Sequence, residues 1–343
     1  MRILVIGGTN FMGPFVIDRL YQQGHELTVF HRGKTQAKLP ERVREILGDR
    51  RPIGNKASEL QQVAPEVVLD MVPMIEQDAR EVMNIFRGMA HRVVALSSQD
   101  VYQAFGRVNK KEAGPVDPRI ITEDSPLREN LYPFRGEQPR IEDASRKWTD
   151  DYDKILVERV MLSDSALPGT ILRLPMVYGP HDYQHRTFAF LKRMDDGRPA
   201  ILLDELEAQW KWSHGYVENV ADAIALTVTD ERAAGRIYNV AEPITFTMEE
   251  WMREIGKVAG WQGRIVRVPH GTLPEPLRWG INAEQHIVVD SSRIRQELGY
   301  RERIDIDEAH RRTVEWERTH PPEKIDPQEF NYALEDELLR QYA

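Results

Sequence analysis

Seven residues near the start of the chain, Gly7-Gly8-Thr9-Asn10-Phe11-Met12-Gly13, have the types and spacing of a phosphate-binding turn. Gly7 and Gly8 permit a tight turn with no Cβ in the way, and Gly13 lets a helix pack closely on a strand. A helix that starts behind such a turn offers N–H donors and a partial positive charge to a pyrophosphate. The apolar run Ile3–Ile6 precedes the turn, and Phe15, Val16, Ile17 and Leu20 follow it at helical spacing, so the strand and helix that the motif requires are both present. The chemistry implied is dinucleotide binding. The spacing reads G-x-x-N-x-x-G, with Asn10 where a third glycine usually sits. Asparagine tolerates left-handed backbone angles, so the turn survives and the amide is available to a cofactor. Gly7, Thr9, Asn10, Phe11, Met12 and Gly13 are expected to line it.

Two further stretches carry chemistry. Val93-Val94-Ala95-Leu96-Ser97-Ser98-Gln99-Asp100-Val101-Tyr102 ends an apolar strand in hydroxyls and a carboxylate, and Arg173-Leu174-Pro175-Met176-Val177-Tyr178-Gly179-Pro180 ends another. In a parallel α/β sheet, ligands bind beyond the carboxyl ends of the strands, so these groups stand where substrate and nicotinamide would meet.

The elements that must position them alternate. Strands are expected at Glu26–His31, Val43–Leu47, Val67–Met71, Arg92–Ser97, Gly169–Arg173 and Arg236–Val240, with helices between them at Glu76–Met89 and Ile141–Leu162. Such alternation implies a doubly wound parallel sheet with helices on both faces. The segment Ala104–Pro139 interrupts it and is rich in Pro, Gly and charge; it reads equally as a lid or binding loop or as a floppy surface insertion. Helices are expected at Met248–Ala259 and Ser291–Leu298 with a small strand Ile265–Pro269 between them, and an amphipathic helix at Glu329–Tyr342. The predicted organisation is a Rossmann domain over 1–175, completed by about 212–243, and a smaller α/β substrate domain from 176–211 and 244–343.

Composition narrows the classes. The chain has 343 residues, 41% hydrophobic and 29% charged, as in ordinary globular proteins. Zero cysteines exclude disulfides, thiolate nucleophiles and thiolate metal sites, and suit a reducing cytoplasm. No apolar run is long enough to span a membrane, and the first residues form a core strand rather than a signal peptide. A net charge of −9 argues against nucleic acid as a partner. A small-molecule substrate and a homodimer are expected.

Taken together, the glycine turn, the Ser97–Tyr102 strand end, Lys154-x-x-x-Glu158, the Arg173–Pro180 stretch and Trp212-Ser213-His214-Gly215-Tyr216-Val217-Glu218-Asn219 resemble the extended short-chain dehydrogenase/reductases. Within them, the chain is similar to the NAD-dependent epimerase/dehydratase family. The Gly-Gly-Thr-Asn-Phe start and His31-Arg32-Gly33-Lys34 look most like an atypical branch that includes the chloroplast stem-loop-binding proteins. The resemblance implies catalysis by a serine, a tyrosine and a lysine. It places the serine at Ser98 and the lysine at Lys154. The tyrosine belongs four residues before the lysine, one helical turn away, and that position is Asp150. No Tyr-x-x-x-Lys occurs in the chain.

Three candidates could carry the proton instead. Asp150 shares a helical face with Lys154, but a carboxylate near pKa 3.9 beside a lysine is a poor acid at neutral pH. Tyr152 lies about 200° around a helix from Lys154 and falls on an apolar stripe with Trp148, Ile155 and Leu156, so it is expected to pack unless the helix start is irregular. Asp100 occupies a place where the sugar-nucleotide 4,6-dehydratases of the family carry an acid, although Gln99 replaces the aspartate before it. Tyr102, Met176, Tyr178 and His214 are expected at the substrate. Sugar-nucleotide members usually carry an asparagine where Met176 and Val177 stand, and neither replacement can make that hydrogen bond.

The cofactor is NADP or NAD. An acidic residue at the end of the second strand would select NAD; here His31, Arg32 and Lys34 occupy that turn, and positive charge suits a 2′-phosphate, so NADP is favoured. Asp49 matches the adenine contact of the family and Arg50 adjoins it, while Met71 and Pro175 end two further strands beside the cofactor. No metal site is expected: His181 and His185 sit in a loop with no completing ligand. The implied activity is hydride transfer on a hydroxyl-bearing, sugar-like substrate, as an epimerase, dehydratase or reductase. The rival reading is a dinucleotide-binding protein that has lost catalysis and serves as a redox-responsive scaffold or an RNA binder.

Overall fold

A computed structural model describes residues 1–35, 37–136 and 144–342. The first residues of the helix expected over Ile141–Leu162, and the last of the segment Ala104–Pro139, lie outside the described residues. The first part of the chain runs β1 (Arg2–Ile6), α1 (Gly13–Gln22), β2 (Glu26–His31), β3 (Arg44–Leu47), α2 (Ala57–Gln61), β4 (Val67–Asp70), α3 (Glu76–Phe86), β5 (Arg92–Ser98), α4 (Gln103–Val108), α5 (Lys154–Met161) and β6 (Gly169–Leu174). The rest runs β7 (Met176–Tyr178), α6 (Phe188–Asp195), β8 (Ala200–Asp204), α7 (Glu205–Gln209), β9 (His214–Tyr216), α8 (Val217–Thr229), β10 (Ile237–Asn239), α9 (Met248–Ala259), β11 (Arg264–Val268), α10 (Ser292–Leu298), α11 (Ile306–Thr319) and α12 (Tyr332–Tyr342).

Seven strands form one parallel sheet in the order β10-β6-β5-β4-β1-β2-β3. This is the doubly wound arrangement that the alternation predicts. Side chains of β1 alternate between two apolar layers. Ile3 and Val5 join Val16, Ile17 and Leu20 of α1 and Val220 and Ile224 of α8. Leu4 and Ile6 join Ala79, Val82 and Phe86 of α3 and Val157 and Met161 of α5. Each such buried aliphatic contributes about 1.5–3 kcal/mol, so strand alternation sets which helices cover which face.

Register brings the functional ends together. Ile6 pairs with Phe30 and with Asp70, Asp70 with Ala95, and Ser98 with Leu174. The glycine turn, His31, Met71, Ser98 and Pro175 therefore leave the sheet along one edge. Two smaller parallel pairs, β7 with β9 and β8 with β11, lie outside the main sheet.

The sequence-derived strands match to within a residue or two, and α9 matches at both ends. Its start is fixed by Thr247, which accepts from Glu250 N–H, and its end by Gly260 at φ 75°. One alternative and one element fail. The described part of Ala104–Pro139 is no floppy surface insertion: α4 opens it, Ile121 N–H donates to Val288 O at 2.8 Å, and Arg128 N–H donates to Val101 O at 2.8 Å. The helix expected through Ile141–Leu162 is instead a 3-10 helix, Ala144–Asp151, an extended break, and then α5. Asp153 makes the break. Its φ of −161° is extended, and its carboxylate caps α5 by accepting Ile155 N–H at 2.9 Å.

Candidate functional site

The glycine turn is built as its spacing requires. Gly7 and Gly8 both hold φ 86° and Phe11 holds 48°, so the left-handed position falls on Phe11 rather than on Asn10. Asn10 supports it: its Oδ1 accepts Phe11 N–H at 3.0 Å and its carbonyl accepts Gly13 N–H at 2.9 Å. A Cβ on Gly13 would lie 2.3 Å from the Gly8 carbonyl, so only glycine closes this turn. Helix α1 then begins with no side-chain cap and no acidic residue in its first turn. Its N-terminal donors remain for an anion, and the turn fits a pyrophosphate. Met71 is buried beneath Gly7 and Gly8. Thr9 Oγ1 accepts from Thr35 Oγ1 at 2.6 Å, which ties the turn to the segment after β2.

At the end of β2, His31 is buried. Its Nε2 lies 2.7 Å from Glu45 Oε2, and its Nδ1 accepts Gly33 N–H at 3.2 Å. The imidazole shapes the turn. Arg32 and Lys34 are exposed, with no ion pair or hydrogen bond among the described residues. Asp49 is exposed and accepts Arg51 N–H. Arg50 departs from the expectation of a cofactor contact. It is buried and turned inward, with Nη2 donating to Asp70 Oδ2 at 2.7 Å and to Asp78 O at 2.8 Å.

The candidate proton-handling groups gather where β5 and α5 meet. Tyr152 donates its hydroxyl to Asp100 Oδ2 at 2.6 Å. The other carboxylate oxygen, Oδ1, is buried with no partner among the described residues. Asp100 follows Ser98, whose Oγ accepts Asp100 N–H at 3.1 Å. Lys154 is buried, and its Nζ donates to Pro73 O at 2.9 Å and Leu96 O at 3.0 Å, which leaves one N–H of an ammonium to spare. The Nζ stands 6.0 Å from the centre of the Tyr152 ring. Burial pushes the Lys154 ammonium down to about 8, with Asp100 and Asp70 pulling the other way. Burial raises the Asp100 carboxyl and raises the Tyr152 phenol well above its ordinary value. A carboxyl raised by burial and hydrogen-bonded to a phenol beside an ammonium has the chemistry of a proton-handling group.

This geometry corrects the helical-face argument. Because the helix starts at Lys154, Asp150 is not one turn below it. Asp150 sits half-exposed on the 3-10 helix and its Oδ1 accepts Gly136 N–H at 3.1 Å. Tyr152 reaches the site through the extended break, where it bridges Ile75. The loop after β4 acts as a splint. Asp78 Oδ2 accepts Met74 N–H at 2.9 Å and Ile75 N–H at 3.2 Å, and Arg51 Nε donates to Asp78 Oδ1 at 2.8 Å. Within that loop Met74 O accepts Asp153 N–H and Pro73 O receives Lys154. Sequence reasoning missed Asp78; its signal was an acid in the first turn of α3. It also missed Arg128, a buried cation that donates to Asp100 O, Asn130 O and Asp153 Oδ1.

Several residues expected at the substrate are core groups instead. Tyr102 is buried, donates to Asn239 Oδ1 at 2.6 Å and accepts from Arg173 Nη1 at 3.0 Å, and Arg173 pairs with Glu158 at 2.7 Å. Tyr178 is buried and donates to Glu242 Oε1 at 2.9 Å. His214 is buried and stacks on Trp251 with ring centres 4.4 Å apart; desolvation pushes its imidazole down to about 3, so it is neutral. Met176 is 5% and Val177 4% exposed, which leaves no amide at this strand end. Pro175 remains half-buried beside Gly215. His185 pairs with Glu317 at 2.8 Å and His181 packs on Phe15 and Trp316. Among the described residues, no cluster of three or more His, Cys, Asp or Glu is placed to hold a metal, and no helix is long and apolar enough to cross a membrane.

Comparison with known proteins agrees with this fold. Over 332 residues the chain is 22% identical to the 41 kDa chloroplast stem-loop binding protein b of Arabidopsis thaliana, covering 89% of this chain and 76% of that one. Over 281 residues it is 25% identical to a 2'-dehydrokanamycin reductase of Streptomyces kanamyceticus, covering 81% and 72%. It spans 52% of the length of an uncharacterised protein of Sinorhizobium fredii to which it is 29% identical. Among solved structures, the UDP-glucose 4-epimerase of Thermus thermophilus in complex with NAD superimposes with a TM-score of 0.65 at 20% identity, over 93% of this chain and 100% of that one. Residues 3–241 match the family profile itself, and the chain is a member of the NAD dependent epimerase/dehydratase family.

Proposed function

We propose that the protein is an NAD(P)-dependent oxidoreductase, epimerase or dehydratase acting on a hydroxyl-bearing, sugar-like substrate, with Asp100 and Tyr152 as its proton-handling pair. One observation carries the reading: the Tyr152 hydroxyl holds one oxygen of Asp100 at 2.6 Å while the other is buried and has no partner among the described residues. A bound nicotinamide would accept or return hydride. Asp100 Oδ1 takes or gives the proton of the reacting hydroxyl. Tyr152 orients the carboxyl through its other oxygen, and the two titrate as a unit. Lys154, held by two carbonyls, binds a ribose hydroxyl with its remaining N–H and supplies positive charge. Ser98 steadies the reacting oxygen. Gly7, Thr9, Asn10, Met12 and Gly13 cradle the pyrophosphate.

NADP is the favoured cofactor because Arg32 and Lys34 are exposed and without partners beside the turn of His31. The relative named as a 2'-dehydrokanamycin reductase supports a keto-sugar or hydroxy-sugar substrate. Residues 176–211 and 244–343 are the proposed substrate-binding part, and a homodimer is tested by light scattering. The test of the activity follows the near-ultraviolet absorbance of released and added nicotinamide during incubation with free sugars, keto sugars and nucleotide sugars. A change that Asp100→Asn abolishes supports the reading.

A second reading is a dinucleotide-binding protein without catalysis, with RNA as a partner by similarity to the stem-loop binding protein. The observation in its favour is that the Tyr152 hydroxyl is already engaged in a side chain that is 9% exposed. No absorbance change with any substrate, together with retention of a stem-loop RNA, would select it.

A further inference from the structure

The loop that follows β7, residues 179–187, is more firmly built than a surface connection requires. His181 holds φ 69° and His185 holds φ 49°, left-handed positions that a non-glycine residue keeps only when its surroundings impose them. Those surroundings are specific. Asp182 is 2% exposed, accepts Gln184 N–H at 3.1 Å and accepts from Arg186 Nη1 at 2.6 Å, and Arg186 Nη1 also donates to Val177 O at 3.0 Å. The His185 ring stacks on Trp316 with centres 5.6 Å apart, and its Nδ1 lies 2.8 Å from Glu317 Oε2. Thr187 Oγ1 donates to Glu317 Oε1 at 3.0 Å.

Tyr183 is the large side chain this anchoring leaves outside. It stands between the two left-handed histidines and is 56% exposed. Two contacts fix what lies beside it. The Tyr183 ring meets Phe11 edge-on, with centres 6.3 Å apart and planes at 89°. The neighbouring His181 ring packs on Phe15 with centres 5.8 Å apart. Phe11 is the left-handed residue of the glycine turn, and Phe15 lies in the first turn of α1. The loop therefore runs beside the N-terminal end of α1, the end that carries no side-chain cap.

Charge and entropy both suit a covering role there. The single acidic residue of the loop, Asp182, is buried and paired with Arg186, so the loop turns no free carboxylate toward an anion on the helix end. An aromatic ring on a rigid support loses little conformational freedom when it closes on a ligand. We infer that Tyr183 is a cofactor-retaining residue, its ring packing against the dinucleotide seated on the glycine turn and slowing its release. The inference rests on the reading of that turn as the dinucleotide site, and it adds a residue that lies about 170 positions away in sequence.

Release kinetics test it. The protein is loaded with NADPH or NADH, and the loss of bound-nicotinamide fluorescence is followed after mixing with excess oxidised cofactor. Tyr183→Ala should speed release by about tenfold, the effect of one aromatic contact, and Tyr183→Phe should stay within about twofold of the parent. The melting temperature of the unloaded protein should be the same in all three, because the ring is exposed. Release from Tyr183→Ala at the parental rate overturns the inference. So does a Tyr183→Phe as fast as Tyr183→Ala, which would assign the effect to the hydroxyl. Faster release accompanied by a lower melting temperature of unloaded Tyr183→Ala also overturns it, by tracing the effect to the loop's own stability. The two readings fail distinguishably. A parent that binds neither cofactor removes the dinucleotide reading and this inference with it. A parent that binds, beside a Tyr183→Ala that releases at the same rate, removes this inference alone.

Discussion

Asp100→Asn and Tyr152→Phe should separate catalysis from stability. The Asp100 carboxylate has a single side-chain hydrogen bond among the described residues, from Tyr152. Such a bond to a charged acceptor is worth about 1.5–3 kcal/mol, and an asparagine oxygen in the same place keeps a neutral bond worth about 1 kcal/mol. The lost difference is offset by removal of a buried charge whose carboxyl desolvation already raises. The net change in stability for Asp100→Asn is therefore within about 1 kcal/mol. Turnover should fall at least about a hundredfold, because an amide cannot exchange the proton. Tyr152→Phe removes that bond and should destabilise by about 2–3 kcal/mol as well as slow turnover. Asp150→Asn should leave turnover nearly unchanged, since Asp150 is half-exposed and its carboxylate meets Gly136 N–H rather than Lys154. Urea unfolding at constant m gives the stabilities, and nicotinamide absorbance gives the rates. An inactive Asp150→Asn beside an active Asp100→Asn would refute the assignment.

Four further outcomes follow from the same geometry. Lys154 has its folded pKa depressed to about 8 from 10.5, so the unfolded state binds more protons between these values and stability should rise with pH across that window by about 3 kcal/mol; Lys154→Met should abolish the rise, measured by urea midpoints, and abolish turnover. His310 is buried with both ring nitrogens unpartnered among the described residues and its imidazole pushed down to about 4, so stability should be lost as pH falls from 6.5 toward 4; His310→Phe should remove about 3 kcal/mol of that loss relative to the parent, against which the opposite contribution of Glu242, raised to about 7, is common to both. Arg32→Ala should weaken NADP by about 1.5–3 kcal/mol and leave NAD unchanged by calorimetry, and equal losses for both would sink the phosphate contact. Gly13→Ala puts a Cβ 2.3 Å from the Gly8 carbonyl and should cost about 3 kcal/mol and cofactor binding together; retained affinity would show that the turn can open.

Local pattern was enough for the parallel sheet, its strands and the glycine turn. Apolar runs bounded by turn residues locate the strands, and a turn between strand and helix depends on residues that are neighbours in the chain. The places of Ser98 and Lys154 were legible for the same reason, each lying at a recognisable strand or helix end. That of Tyr152 was not. Helical spacing placed Asp150 below Lys154 and turned Tyr152 away, and both conclusions required a continuous helix. Asp153, extended and capping α5, ends that continuity, and the splint from Asp78 through Pro73 and Met74 holds the break open. Those partners lie about 75 residues away in sequence, so no local period could report them. Burial decided the rest. Tyr102, Tyr178 and His214 look like site residues in sequence, and only the packing shows that their polar atoms face the core while one oxygen of Asp100 is left without a partner among the described residues.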